Sequence, residues 1–266
     1  MRTDKEILEA VQKHHDSVVD YMGRRNADVL MTVLVGSQNY DLACDTSDID
    51  TFSFVLPSIF DISTLKDPIA TEYELDDGKC CIKDMRTALN LLMKTNPNSV
   101  EWFCSDYIIY NPTYMRILKK YLSNKQRKVF LYCDVVQMAN SCKGMIRQLK
   151  NRNMPAGKKY SHTLRVVDMW NAYVLGDTDN ILKLSDVNKL IAREAKHCTD
   201  ESKNEEYQIK SEQISEAIEY SFKTIFGETI SQNILMKQKE NKEYVYGLQE
   251  LLLMKHLALQ IANKFG

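Results

Sequence analysis

Two short stretches carry residue types that could do chemistry. In the first, Val33-Leu34-Val35-Gly36-Ser37-Gln38-Asn39-Tyr40, an apolar run stops at Gly-Ser. The second, Asp48-Ile49-Asp50, begins after ten intervening residues and opens another apolar run. Glycine lets a backbone approach a ligand closely, and a serine at a helix start offers a hydroxyl and N–H groups that welcome a phosphate. Two aspartates separated by one residue on a strand project from the same face. Like charges held that close need a cation between them, and Mg²⁺ takes a couple of carboxylates together with phosphate oxygens and water. A phosphate cradle beside a carboxylate pair suits metal-assisted chemistry on a nucleoside triphosphate. An Asp-x-Asp alone would mean little, because surface strands often carry one. Its spacing from the strand-Gly-Ser supplies the structural context.

A second constellation follows Gly157. Lys158, His162 and Arg165 fall at i, i+4 and i+7, so a helix places them on one face, with Lys159 and Tyr160 at its start. Facing a cleft, that stripe would hold a triphosphate or an acceptor backbone, with Arg165 able to make bidentate contacts. The plain alternative is a solvated helix face. Lys83 shares a strand face with Cys81 and reads equally as a cleft or an edge residue. Arg86 is expected to pair with a neighbouring acid. Asn96 should cap a helix that Pro97 starts, which makes Glu101 structural. His14, His15, His197 and His256 lack the spacing of a metal site or a triad, and Cys81 lacks a visible base.

These pieces resemble the signature of the DNA polymerase β-like nucleotidyltransferase superfamily, and within it a branch of predicted bacterial and phage nucleotidyltransferases, some linked to RNA repair. The matching residues are Gly36-Ser37-Gln38-Asn39-Tyr40, Thr46-Ser47-Asp48-Ile49-Asp50, Ile82-Lys83-Asp84-Met85-Arg86, Asn96 to Glu101 and Lys158 to Arg165, spread over roughly residues 30–200. The resemblance implies a small mixed-sheet catalytic domain, a helical second domain, and transfer of a nucleoside monophosphate from an NTP, ATP first among them. It places the triphosphate on Gly36 and Ser37 and the metals, two Mg²⁺ or Mn²⁺, on Asp48 and Asp50. The acceptor could be RNA, a protein hydroxyl or a small molecule. One departure stands out. The superfamily usually sets a third carboxylate on a later strand, and the corresponding strand, Lys79-Cys80-Cys81-Ile82-Lys83, holds no acid. Cys81 occupies the expected place, and a neutral thiol is neither a general base nor a Mg²⁺ ligand. Either Glu74, Asp76 or Asp77 supplies the group, or the acceptor needs no protein base, or the protein binds nucleotide without turning it over. The last defines a second hypothesis, a catalytically weakened fold that acts as a nucleotide- or RNA-binding regulatory module. A structural protein with no site would leave the Gly-Ser and Asp-x-Asp pattern unexplained.

The elements that must position these residues follow an α+β order, strands first and helices after. Thr3-Asp4-Lys5-Glu6 reads as a capping box for an opening helix with Ile7, Val11, His14, His15, Val18 and Met22 inward. Strands are expected over 28–36 and 49–56, and a hairpin over 69–83 turns at Asp76-Asp77-Gly78. A helix spans Asp84 to Lys94. Beyond Pro112 the chain reads as helical, broken at 123–124, 153–157 and 176–179. The domain boundary is placed near residue 122, giving a catalytic domain over 1–122 and a helical one over 123–266. The last helix, Asn241 to Lys264, is apolar over more than one stripe, which predicts burial against the helical domain or a second copy of the protein.

Charge supports that division. The 266 residues sum to −1, but residues 1–120 carry −6 and residues 121–266 carry +5, with +8 concentrated in residues 121–170. A wholly basic surface for nucleic acid is excluded, while a divided cleft is not. The odd count of 7 cysteines, without zinc spacing, predicts reduced thiols and a cytoplasmic setting. No apolar run approaches the ~20 residues that span a bilayer.

Overall fold

The Thr3 side chain accepts the Glu6 N–H while the Glu6 carboxylate accepts the Thr3 N–H, so the capping box forms as expected and opens helix α1 (Asp4–Gly23). The computed structural model describes residues 2–44, 47–198, 200–226 and 232–265. Thr46 of the aspartate motif therefore lies outside the described residues. Strands β1 (Asp28–Val35), β2 (Ile49–Leu56), β3 (Ala70–Leu75), β4 (Gly78–Asp84) and β5 (Ile108–Tyr110) form one sheet in the order β3-β4-β2-β1-β5. β2 runs parallel to β4, and the other neighbours are antiparallel, so the sheet is mixed.

Strand periodicity gives the sheet two faces. Thr32, Ser53 and Thr51 turn toward α1, where His15 Nδ1 meets Thr32 Oγ1 at 2.9 Å and His14 Nδ1 meets Thr51 Oγ1 at 2.9 Å. These histidines are buried and satisfied, as their lack of site spacing suggested. On the opposite face Phe52 and Phe54 stack with Trp102 and Phe103 of α4 (Pro97–Cys104), which follows α2 (Ile59–Ser63) and α3 (Met85–Met93). Helices α5 (Pro112–Leu122), α6 (Arg127–Phe130), α7 (Val135–Asn151), α8 (Ala156–Leu175), α9 (Asp186–His197), α10 (Asn204–Phe226) and α11 (Gln232–Phe265) complete the chain. The result is an α+β fold. The main buried cluster runs from Met31, Val33 and Phe54 across residue 122 to Trp170, Ile218 and Leu252. Helices α8 and α9 touch closely, because a Cβ on Gly157 would lie 2.0 Å from the Ala195 carbonyl oxygen.

Three elements depart from expectation. β5, three residues long, has no alternating pattern to betray it and forms only because the edge of β1 offers free ladder groups. α2 is a single turn capped by Ser58. α11 begins at Gln232, not Asn241: the apolar Ile234, Leu235 and Met236 are consecutive, and Lys237, Lys239 and Glu240 follow before the covered stripe starts. Nor is it buried all round: Asn241, Val245, Leu248, Leu252 and His256 line one covered stripe, while Met254 is 67% exposed. No helix among the described residues is long and apolar enough to cross a membrane.

His256 anchors α11 to the sheet. Its Nε2–H donates to the Pro57 carbonyl at 2.9 Å, and its Nδ1 lies 3.2 Å from Asp28 Oδ2, to which the Tyr114 hydroxyl also donates at 2.5 Å. His256, and secondarily Tyr114, hold the Asp28 carboxyl below its ordinary value against the opposing effect of burial. A depressed carboxyl stabilises fully above the unfolded value of about 3.9 and loses that contribution as pH falls through the folded one. Asp28 is 45% exposed, so solvent screening keeps the effect small. Asp28→Asn should cost about 1 kcal/mol in denaturant unfolding at neutral pH, with the gap to wild type closing below about pH 4. A gap independent of pH would show that the carboxylate does not provide the anchor.

Candidate active site

β1 delivers its last residue, Val35, opposite Asp50 of β2, and the chain then turns through a 3₁₀ segment, Gly36–Tyr40. Gly36 adopts φ +80°, and a Cβ there would stand 3.4 Å from Asp50 Oδ2. Glycine is needed here for the left-handed backbone, while a Cβ would only come into ordinary contact with the carboxylate. Its N–H donates to Glu101 Oε1 at 2.7 Å. Ser37 follows in the turn, and its carbonyl accepts the Leu42 N–H at 2.9 Å. Asp50 is half-buried. Asp48 is exposed and lies just before β2 rather than within it. Burial pushes the Asp50 carboxyl up, Asp48 adds to the rise, and Lys79, His14 and Lys158 oppose it.

The register β2–β4–β3 settles where the nearby acids lie. Lys79, Cys81 and Lys83 share the face of Asp50, Phe52 and Phe54, and across β3 Glu74 and Glu72 stand opposite Lys79 and Cys81. Burial, with Glu72 adding, pushes the Cys81 thiol up to about 12, so it is neutral, and its Sγ–H donates to Glu72 Oε1 at 3.2 Å. Asp77 meets His14 Nε2 at 3.0 Å on the α1 side of the sheet, and Asp76 is exposed beside Lys13. The acid standing against Cys81 is Glu72, one strand further out than the motif suggests. Among the described residues no three His, Cys, Asp or Glu side chains are grouped to hold a metal. Two aspartates with an open approach still suit Mg²⁺, which draws its remaining ligands from water and phosphate oxygens.

α8 supplies the facing wall. Lys158 is exposed at its start, while Lys159 turns away to donate to the Lys150 carbonyl at 2.8 Å. Burial, with Arg165, Lys158, Arg152 and Lys196 reinforcing it, drops the His162 pKa to about 3. The imidazole is therefore neutral, and its Nδ1 accepts from Arg165 Nη1 at 3.2 Å. Arg165 is committed elsewhere as well. Its Nη2 lies 3.3 Å from both Glu101 oxygens, and its guanidinium stacks 3.6 Å from the Tyr40 ring centroid. Arg193 and Lys196 of α9 donate to the Asp41 and Leu42 carbonyls at 2.7 and 2.9 Å, fixing the loop after the turn.

Between the walls lies a cleft of about 490 Å³ lined by Gly36, Tyr40, Phe52, Trp102, Met145, Gln148, His162 and Arg165, with Asn96 and Asn98 at its polar edge. Lys83 also lines it, its Nζ 5.1 Å from the Trp102 ring centroid, and Arg86 pairs with Asp84 at 2.6 Å. Gly36, Ser37, Asp48 and Asp50 thus come together at one end of the sheet, with Lys158 near enough to act on the Asp50 carboxyl. Sequence reasoning took Glu101 as structural without naming its partners, and missed Glu72, Arg152 and Lys196. Only Glu101 left a signal: an acid inside the apolar run Val100-Glu101-Trp102-Phe103 has to find a buried partner.

Residues 3–228 match RlaP, the RNA repair pathway DNA polymerase beta family. A crystal structure of a nucleotidyltransferase-like protein from Exiguobacterium sibiricum 255-15 is similar at 16% identity over 94% of this chain and 91% of that one, with a TM-score of 0.29. No curated protein matches the chain.

Arg165 and Glu101 are 13% and 11% exposed, and cutting one partner from such a pair leaves a buried charge. Glu101→Ala should therefore cost about 3–5 kcal/mol of stability. Glu101→Ala with Arg165→Met should recover part of that loss in a double-mutant cycle, and additive losses would show that the two do not act as a pair.

Proposed function

The chain belongs to the RNA repair pathway DNA polymerase beta family, and from that premise we propose that it moves a nucleoside monophosphate from an NTP to an acceptor hydroxyl, releasing pyrophosphate. One observation carries the reading. Arg152, Lys158 and Lys196 gather around the neutral His162, and among the described residues neither Arg152 nor Lys158 has an ion-pair partner. A cluster of cations facing an aspartate pair calls for a polyanion held next to a divalent cation.

In this proposal Asp48 and Asp50 hold Mg²⁺ or Mn²⁺, which when bound would neutralise charge on the attacking and leaving oxygens. Gly36 provides the left-handed backbone of the turn. Its N–H is already taken by Glu101, so phosphate contacts fall to Ser37. Lys158, Arg152 and Lys196 hold the outer phosphates, and His162 supplies a neutral donor through the nitrogen that Arg165 leaves protonated. Arg165 positions Tyr40 and the turn instead of binding phosphate directly. The base would enter the cleft over Trp102 and Phe52, walls of the kind that bind a planar apolar group. ATP is the first nucleotide to test. RNA is the first acceptor, in keeping with the family's description and the basic segment 121–170; a protein hydroxyl or a small molecule comes next.

A second reading rests on β4. With Cys81 neutral and Glu72 held by it, no carboxylate directly beside Asp50 would take the acceptor's proton. A nucleotide-binding regulatory module follows from that arrangement.

α-Labelled NTPs incubated with Mg²⁺ and total RNA separate the two. Label should pass to an acceptor and fall at least about a hundredfold in Asp50→Asn and Asp48→Asn. Bound nucleotide with no label transferred would overturn the transferase in favour of the module.

A further inference from the structure

The half-buried Asp50 has a lysine as its in-register neighbour on β4. Parallel pairing sets Asp50 against Lys79 on the same face of the sheet. The strands are pressed together at this point, since a Cβ on Gly78 would lie 2.0 Å from the Ile49 carbonyl oxygen, and so Lys79 is held at the edge of the aspartate pair. Its Nζ lies 3.6 Å from Glu72 Oε1, and Glu72, followed by Asp50, favours the charged ammonium. The face thus reads, from β2 outward, carboxylate, ammonium, carboxylate. The acid of β3 is neutralised by Lys79, and Cys81 adds no charge.

We infer that the aspartate pair takes a single divalent cation, and that the Lys79 ammonium supplies beside Asp50 the positive charge a second ion would bring. The inference rests on the nucleotide-binding reading above and departs from the sequence-based expectation of two ions. An ion entering on the β4 side of Asp50 would meet the like charge of Lys79, which already acts on the Asp50 carboxyl, and would find a thiol where it needs an oxygen ligand. An ion on the open side meets two carboxylates and the nucleotide's phosphates. The arrangement also gives Glu72 a role: it keeps the Lys79 side chain extended along the sheet and charged, which makes it a positioning residue.

Native mass spectrometry of the full chain with Mn²⁺ and a non-hydrolysable ATP analogue counts the ions directly. Wild type should carry nucleotide and one Mn²⁺, and Lys79→Glu, which places a carboxylate at the β4 position, should carry two. Without nucleotide, removing the ammonium in Lys79→Met should tighten Mn²⁺ binding about tenfold by calorimetry, since an opposing charge is gone. Lys79 is 45% exposed, and thermal melts of both variants confirm that they fold. Two ions on wild type, one on Lys79→Glu, or unchanged Mn²⁺ affinity in Lys79→Met each overturn the single-ion site while leaving nucleotide binding intact. A chain that takes no nucleotide overturns the proposed function and this inference together.

Discussion

A carboxylate cannot be buried without partners, and Glu101 sits where two parts of the molecule must each provide one. Gly36 brings a backbone N–H from the end of β1, Arg165 brings a guanidinium from α8, and Tyr40 closes over that guanidinium from the turn itself. Burial pushes the Glu101 carboxyl up, and Arg165 followed by the Gly36 N–H pull against it. The pair contributes less through net stability than through specificity, because few other placements of α8 against the sheet would satisfy both charges at once. The conformation of the Gly-Ser turn and the position of the basic helix therefore have a common cause. A cleft whose two walls are set by one buried contact keeps its width.

The electrostatics follow from that frame. The sheet carries its negative charge at the end where β1 stops and β2 and β4 start, and α8 and α9 bring their positive charge to the same end. A near-neutral total conceals two opposed walls. His162 sits in the positive wall: an imidazole with an ordinary pKa near 6.5 is driven to about 3 first by burial and then by four neighbouring cations. The negative wall is tempered by Lys79, which with His14 and Lys158 opposes the rise that burial and Asp48 impose on the Asp50 carboxyl.

Much of this was legible in the sequence where local chemistry decides the outcome. The capping box at Thr3, the strand ending at Gly36, the strand 49–56 and the turn at Asp76-Asp77-Gly78 each depend on residues within a few positions of one another. Asn96 and Pro97 likewise start α4 as their types require. The juxtaposition of Gly36 and Asp50 was legible for the same reason, as both are read from spacing on adjacent strands. What escaped depends on contacts far apart in the chain. Glu101 and Arg165 are 64 residues apart, and neither names the other until α4 and α8 pack. Glu72 was not singled out beside Glu74, Asp76 and Asp77, because its place against Cys81 comes only from the β3–β4 register. β5 exists only by pairing with β1, so its own three residues hold no signal.

The same distinction bears on Arg165. Helical spacing put it on one face with Lys158 and His162, and spacing alone gives all three the same task. Burial divides them. Lys158 is exposed and lacks a carboxylate partner among the described residues, so its charge remains available to an anion. Arg165 has used its charge on Glu101 and the face of its guanidinium on Tyr40, and it can reach a ligand only at the expense of the turn it holds. His162, kept neutral by burial and by the cations around it, stays within the cluster without adding to the repulsion there. A stripe that looks uniform in sequence thus separates into Lys158, whose charge is exposed, Arg165, which holds the turn, and His162, which accepts from Arg165. Their places run from the solvent-exposed start of α8 toward its buried middle, as the depth of the cleft requires.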